Sequence, residues 1–164
     1  MKKTLILLLI QLFPISILLS QTRHDIDSLL SEISKIENSK YVSANSAAIK
    51  LFSYNDKALK FLTTYFEDTT RTNVKSDCQN FFLKRGELAI IVADTIERMP
   101  YALLTGIQNC LLEFCENNSN LIEYYLDAIR RDEIQVFTRK YFDWLVSKER
   151  KKWFAYNARK NRSN

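Results

Sequence analysis

Apolar side chains recur three and four positions apart along most of the chain, which is the spacing of one face of an α-helix. Residues 25–37 show this spacing first, and residues 46–66 show it again. The second stretch is interrupted at 53–55, where Asp56 can cap a new helix. The pattern therefore predicts three helices before residue 67.

The next stretch, 67–80, is polar, rich in threonine and without helical periodicity, which predicts a loop that includes some extended pieces. Residues 87–99 follow, and their first two turns carry apolar side chains on every side. A helix of that kind is normally buried against several neighbours, so we expect 87–99 to be the central helix. Pro100 ends it, because proline disfavours helix in the residue before it.

The rest of the chain continues the helical spacing in short stretches. We predict a helical turn at 101–104 and a restart after residue 147, with Asp132 capping the last long helix, and longer helices at 106–115, 121–131 and 133–147. Two glycines and two prolines in 164 residues are too few for the many turns of a β-sandwich. The fold class predicted is all-α, with six or seven short helices in a compact orthogonal bundle or a short α-α superhelix.

The first twenty residues have the order of a secretory signal, with Lys2 and Lys3, then an apolar run, then Ser20. The alternative is a membrane anchor or a buried helix. The run is shorter than the roughly 20 apolar residues that a bilayer span needs, and it contains Pro14. We predict a cleaved bacterial signal peptide at 1–20, a single helical domain at 21–164 in the periplasm or outside the cell, and no transmembrane helix after processing.

Basic side chains concentrate at the C-terminal end. Residues 21–129 carry 11 Lys and Arg against 15 Asp and Glu, whereas residues 130–164 carry 11 against 4. The segment 148–164 is predicted to be a basic extension, frayed at its end. Cations interleaved with aromatic rings suit a protein or an anionic component of the cell envelope, and the compartment argues against nucleic acid. The alternative is that the rings pack into the core while the cations are solvated. The candidate binding residues are Arg139, Lys140, Trp144, Lys151, Lys152 and Trp153.

Three cysteines are candidates for a disulfide: Cys78, Cys110 and Cys115. The last two, five residues apart on a predicted helix, would have Cα atoms roughly 8 Å apart, which is too far for a bridge. Any disulfide must therefore include Cys78, and Cys110 is the favoured partner. The alternatives are three buried thiols, or a zinc site completed by His24, although the chain lacks the C-x-x-C spacing typical of such sites.

The sequence carries no recognisable catalytic motif, and we predict no catalytic residue, cofactor or metal. His24 is the single histidine, and two glycines cannot build a phosphate-binding loop. We therefore expect an exported, non-enzymatic helical protein that binds another macromolecule as an inhibitor, immunity or accessory factor. The alternatives are a cell-envelope hydrolase of unfamiliar type with carboxylates on helices 86–98 and 113–127, and peripheral envelope attachment through residues 139–156.

Overall fold

Nine helices and one two-stranded sheet are present in the computed structural model, which describes residues 23–108 and 122–153. The helices are α1 (23–33), a 3₁₀ helix (Ser39–Ala44), α2 (Ser46–Ser53), α3 (Asp56–Thr63), α4 (Arg85–Ile96), α5 (Tyr101–Thr105), α6 (Ile122–Arg131), α7 (Ile134–Val146) and α8 (148–153). The strands are β1 (Arg71–Lys75) and β2 (Phe82–Lys84). The chain is mostly helical, as predicted, but the all-α class is confirmed only in part because of the sheet.

The sheet is an antiparallel hairpin in which Arg71 lies opposite Lys84. Val74 and Leu83 are buried while their strand neighbours are partly or fully exposed, so each strand turns one apolar side chain into the core. The Lys75 amide also donates to the Glu37 carbonyl over 2.9 Å, which fastens β1 to the segment after α1. The extended pieces predicted within 67–80 are therefore real, but they form a paired strand.

Helix α4 is the centre of the core, as predicted. Nine consecutive residues from Gly86 to Asp94 are buried, and α4 contacts α2, α3, α6, β2 and the 3₁₀ helix. Glycine is required at its start, because a Cβ on Gly86 would lie 2.2 Å from the Phe66 carbonyl oxygen. The helix ends at Ile96, three residues before the predicted end.

The predicted break at 53–55 is confirmed, but the predicted caps are wrong. Asp56 is already the first residue of α3, and Asn55 precedes it with a positive φ of 50° and no side-chain cap. At α7 the residue before the helix is Glu133, with φ 69°, and not Asp132. Both helix starts are set by a tight backbone turn from the preceding helix.

The last long helix, α7, packs its aromatic side chains into the core. Phe137, Tyr141 and Trp144 are buried, and the Tyr141 ring lies 5.2 Å from that of Phe66. The alternative that these aromatic rings pack into the core is therefore correct for this face of α7. No helix within 23–108 or 122–153 is long and apolar enough to span a bilayer. The predicted signal peptide, residues 109–115 of the predicted 106–115 helix and the end of the basic extension lie outside the described residues. The predicted start of that helix is wrong, because Gly106 caps α5 with a φ of 71° and residues 106–108 are not helical.

Candidate binding surfaces around the C-terminal helices

An apolar depression of about 900 Å³, here called the aromatic groove, lies between α5, α6 and the last two helices. Trp144 and Tyr125 are nearly buried and form its floor, while Leu103 and Trp153 stand at its rim with 62% and 40% of their surface exposed. Tyr101 stacks on Tyr125 at a ring distance of 4.8 Å. The groove therefore offers flat rings and aliphatic side chains to solvent.

A hydrogen-bonded network fixes one wall of the aromatic groove. The buried Asp94 carboxylate accepts from the Met99 amide and from the Tyr101 hydroxyl, both over 2.8 Å. The same hydroxyl accepts from Arg98 over 2.9 Å. Burial raises the pKa of Asp94 and also raises the pKa of Tyr101. The network ties α5 to the end of α4 and so positions the groove wall.

The raised pKa of Asp94 makes a pH-dependent prediction for Asp94→Asn. Between the unfolded pKa of about 3.9 and the higher folded value, the folded state holds more protons than the unfolded state. The contribution of Asp94 to stability must therefore fall as pH rises through this window, by at most about 1.4 kcal/mol per pH unit. We expect the wild type to lose stability relative to Asp94→Asn as pH rises from 4 to 7, measured by urea unfolding.

The comparison cancels other titrating groups. The pKa values of Asp27 and Asp68 are lowered, Asp27 chiefly by its hydrogen bond to Arg85 and Asp68 by hydrogen bonds to Thr70, so their stabilisation is lost as pH falls. Both groups are present in both proteins. If the free energy of unfolding of the wild type rose relative to that of Asp94→Asn as pH increased, the assignment would be contradicted.

A second groove of about 640 Å³ lies on the other side of α8 and contains Arg150. The guanidinium donates to Glu97 over 2.9 and 2.6 Å, to the Leu145 carbonyl over 3.1 Å, and to Asp56. Arg150 thus joins α8 to the first residue of α3 and to the residue that follows α4. We call this arrangement the Arg150 clasp, and it accounts for one cation of the predicted basic extension as a structural residue.

The six predicted binding residues do not form one site. Trp144 and Trp153 meet in the aromatic groove. Lys151 borders the second groove, and Lys140 is exposed with its ammonium 3.4 Å from the Leu104 carbonyl oxygen. Arg139 and Lys152 are exposed elsewhere on α7 and α8.

Sequence reasoning missed Arg98, Tyr101, Leu103 and Tyr125 as parts of the groove. The α5 helix has five residues, which is too short to show a periodic face. The two consecutive leucines of α5, Leu103 and Leu104, could have indicated an exposed apolar residue. Adjacent residues on a helix point in different directions, and of these two only Leu104 is buried.

The buried carboxylates in the described ranges are held by structural partners. Glu87 forms a two-pronged pair with Arg130, with one contact at 2.6 Å. Glu123 is fully buried and accepts from the Ser39 hydroxyl over 2.8 Å and from Ser76. Within the described ranges no group of three or more His, Cys, Asp and Glu residues is placed to hold a metal ion.

The hydrolase hypothesis requires two acids that converge on one open pocket. Among the described residues, Glu149 is the one acid that lines the aromatic groove. Asp56 and Glu97 do share the second groove, but both are bound by Arg150. A third pocket, of about 180 Å³, is lined by Glu67, Asp68 and Glu87. There Arg130 binds Glu87 and Arg85 binds Asp68. The hydrolase hypothesis stays a prediction, and residues 113–121 lie outside the described ranges.

The structure describes one of the three cysteines. Cys78 lies in the turn between β1 and β2, with its amide 3.4 Å from the Glu123 carboxylate. Cys110 and Cys115 lie outside the described residues, so the pairing stays a prediction.

Comparison with known proteins adds no further assignment: no protein-family model, no curated protein and no solved structure matches this chain.

Proposed function

We propose that this chain is an exported, non-enzymatic helical protein that binds a partner protein, as an inhibitor, immunity or accessory factor, through the aromatic groove. The observation that carries the proposal is the exposure of Leu103 and Trp153 at the rim of a groove floored by Trp144 and Tyr125. Exposed apolar surface of this kind marks interaction sites, and Trp, Tyr and Arg dominate the binding energy of protein interfaces.

The electrostatics of the described residues also favour binding over hydrolysis. Asp94, Glu87 and Glu97 each accept hydrogen bonds from the protein itself, which gives each of these carboxylates a structural role. Arg98 stands at the groove with its guanidinium already oriented by Tyr101. A preoriented arginine beside aromatic rings suits a partner segment with apolar side chains and an acidic group.

Export and a disulfide belong to the same proposal. The signal-like order of residues 1–20 supports delivery to the periplasm or the exterior, where disulfides persist. A bridge from Cys78 to Cys110, with Cys115 as the alternative partner, is part of this proposal. Such a bridge would fasten the hairpin turn to the segment that precedes α6.

A photo-crosslinking experiment tests the groove as a partner site. We expect a photoreactive residue at position 103 to form a specific adduct in living cells, and Trp153→Ala to reduce its yield at least about tenfold, since interface tryptophans often contribute 2 kcal/mol or more. Ile49 on α2, which is 52% exposed, provides the control position. The same adducts at positions 49 and 103, or a yield that Trp153→Ala leaves unchanged, would refute the groove.

A further inference from the structure

The outer face of α7 carries apolar side chains that the core does not use. Arg139, Phe142 and Val146 follow a spacing of three and four, on the side of the helix opposite Tyr141 and Trp144. Phe142 is 47% exposed and Val146 is 58% exposed. The two apolar side chains of this stripe, those of Phe142 and Val146, are therefore in contact with solvent.

Cations lie beside this stripe at the second groove and follow it along the chain. Lys60 and Lys151 line the second groove together with Val146, and Lys148 and Lys152 are exposed on α8. We define the basic ridge as the stripe with these lysines: Lys60, Arg139, Phe142, Val146, Lys148, Lys151 and Lys152.

The basic ridge carries a clear excess of positive charge. Its five cations face two exposed acids, Asp143 and Glu149, which leaves a surplus of three. Arg150 and its two partners, Glu97 and Asp56, add a net charge of −1 at the second groove, so the surplus is two when they are included. A positive surplus of this kind suits an anionic partner.

We propose that the basic ridge docks the protein on an anionic lipid surface. Separate apolar side chains on an exposed helix face, flanked by long cationic side chains, can enter the headgroup region while the ammonium groups meet lipid phosphates. An acidic peptide would complement the charge of the ridge. It would not offer an apolar environment in which the side chains of Phe142 and Val146 could be buried. The ridge shares no side chain with the exposed rim of the aromatic groove, so this inference does not rest on the proposed function.

The test measures binding of the mature chain to vesicles by sedimentation. We expect binding to vesicles of phosphatidylglycerol and phosphatidylcholine, and none to phosphatidylcholine alone. Replacing Lys148, Lys151 and Lys152 together by glutamine should lower the partition coefficient about a hundredfold, since each cation contributes about fivefold near an anionic surface. Phe142→Ala with Val146→Ala should weaken it as well, because less apolar surface enters the membrane.

A control variant of equal net charge distinguishes the ridge from overall charge. Replacing Lys35, Lys50 and Lys75, which are exposed elsewhere, removes the same three charges. We expect a reduction of less than about tenfold, from long-range attraction alone. Three results would overturn the proposal. The two triple variants could lose vesicle binding equally, or Phe142→Ala with Val146→Ala could lose none. The protein could also bind a glutamate-rich peptide but not vesicles. Crosslinking at position 103 reports on the groove separately.

Discussion

Replacement of Gly86 by alanine should destabilise the fold by about 3 kcal/mol or more, the upper end of the range for overpacking a core. The added Cβ would lie 2.2 Å from the Phe66 carbonyl oxygen and 2.8 Å from that of Tyr65. Both obstacles are backbone atoms, so no side chain can rotate out of the way. The Gly86 amide also donates to Asp68 over 2.9 Å, which prevents α4 from shifting without loss of that bond. Thermal or urea unfolding measures the effect.

Gly106→Ala is the matched control. Gly106 has a φ of +71°, but the position of an added Cβ is open, so the cost is limited to the backbone strain of about 1–2 kcal/mol. Equal destabilisation by the two substitutions would mean that α4 does not approach the end of α3 as closely as described.

Glu123→Ala is expected to cost about 3 kcal/mol, similar to the loss of one partner from a buried charged pair. The carboxylate is fully buried and accepts from Ser39, from Ser76 and from the Cys78 amide. Its removal leaves several buried donors without this acceptor, and each such group costs about 1–3 kcal/mol. Because these donors lie on the 3₁₀ helix and beside the hairpin turn, hydrogen exchange should accelerate there first.

Two variants control for the loss of a glutamate as such. Glu123→Gln keeps an acceptor oxygen and should cost less than the alanine variant. Glu32→Ala removes an exposed acid whose contact, Lys35, lies on the same surface, and it should change the free energy of unfolding by less than about 0.5 kcal/mol. A Glu123→Ala protein as stable as Glu32→Ala would show that the buried network contributes little.

The sequence predicted those features that depend on neighbours along the chain. The central helix followed from the continuous apolar run at 88–93, and the break before α3 followed from polar residues at 53–55. The hairpin was harder, since β2 has three residues, too few to show a period of two. Its pairing with β1 was decided by long-range contacts instead.

The candidate surfaces could be predicted less well, because their residues come together only in the fold. The aromatic groove combines Leu103, Tyr125 and Trp153. These three residues are far apart along the chain. Arg150 looked like one of several solvated cations, yet its partners Glu97 and Asp56 are 53 and 94 residues away. No local pattern distinguishes it from Lys151 or Lys152.

The Arg150 clasp also bears on the timing of assembly. Closing contacts across 53 and 94 residues carries an entropy cost, so we expect α8 to dock after α3 and α4 have come together. The lysines of α8 would therefore acquire their orientation late in folding. A chain still emerging N-terminus first would have no formed ridge, and lipid docking would be reserved for the finished molecule.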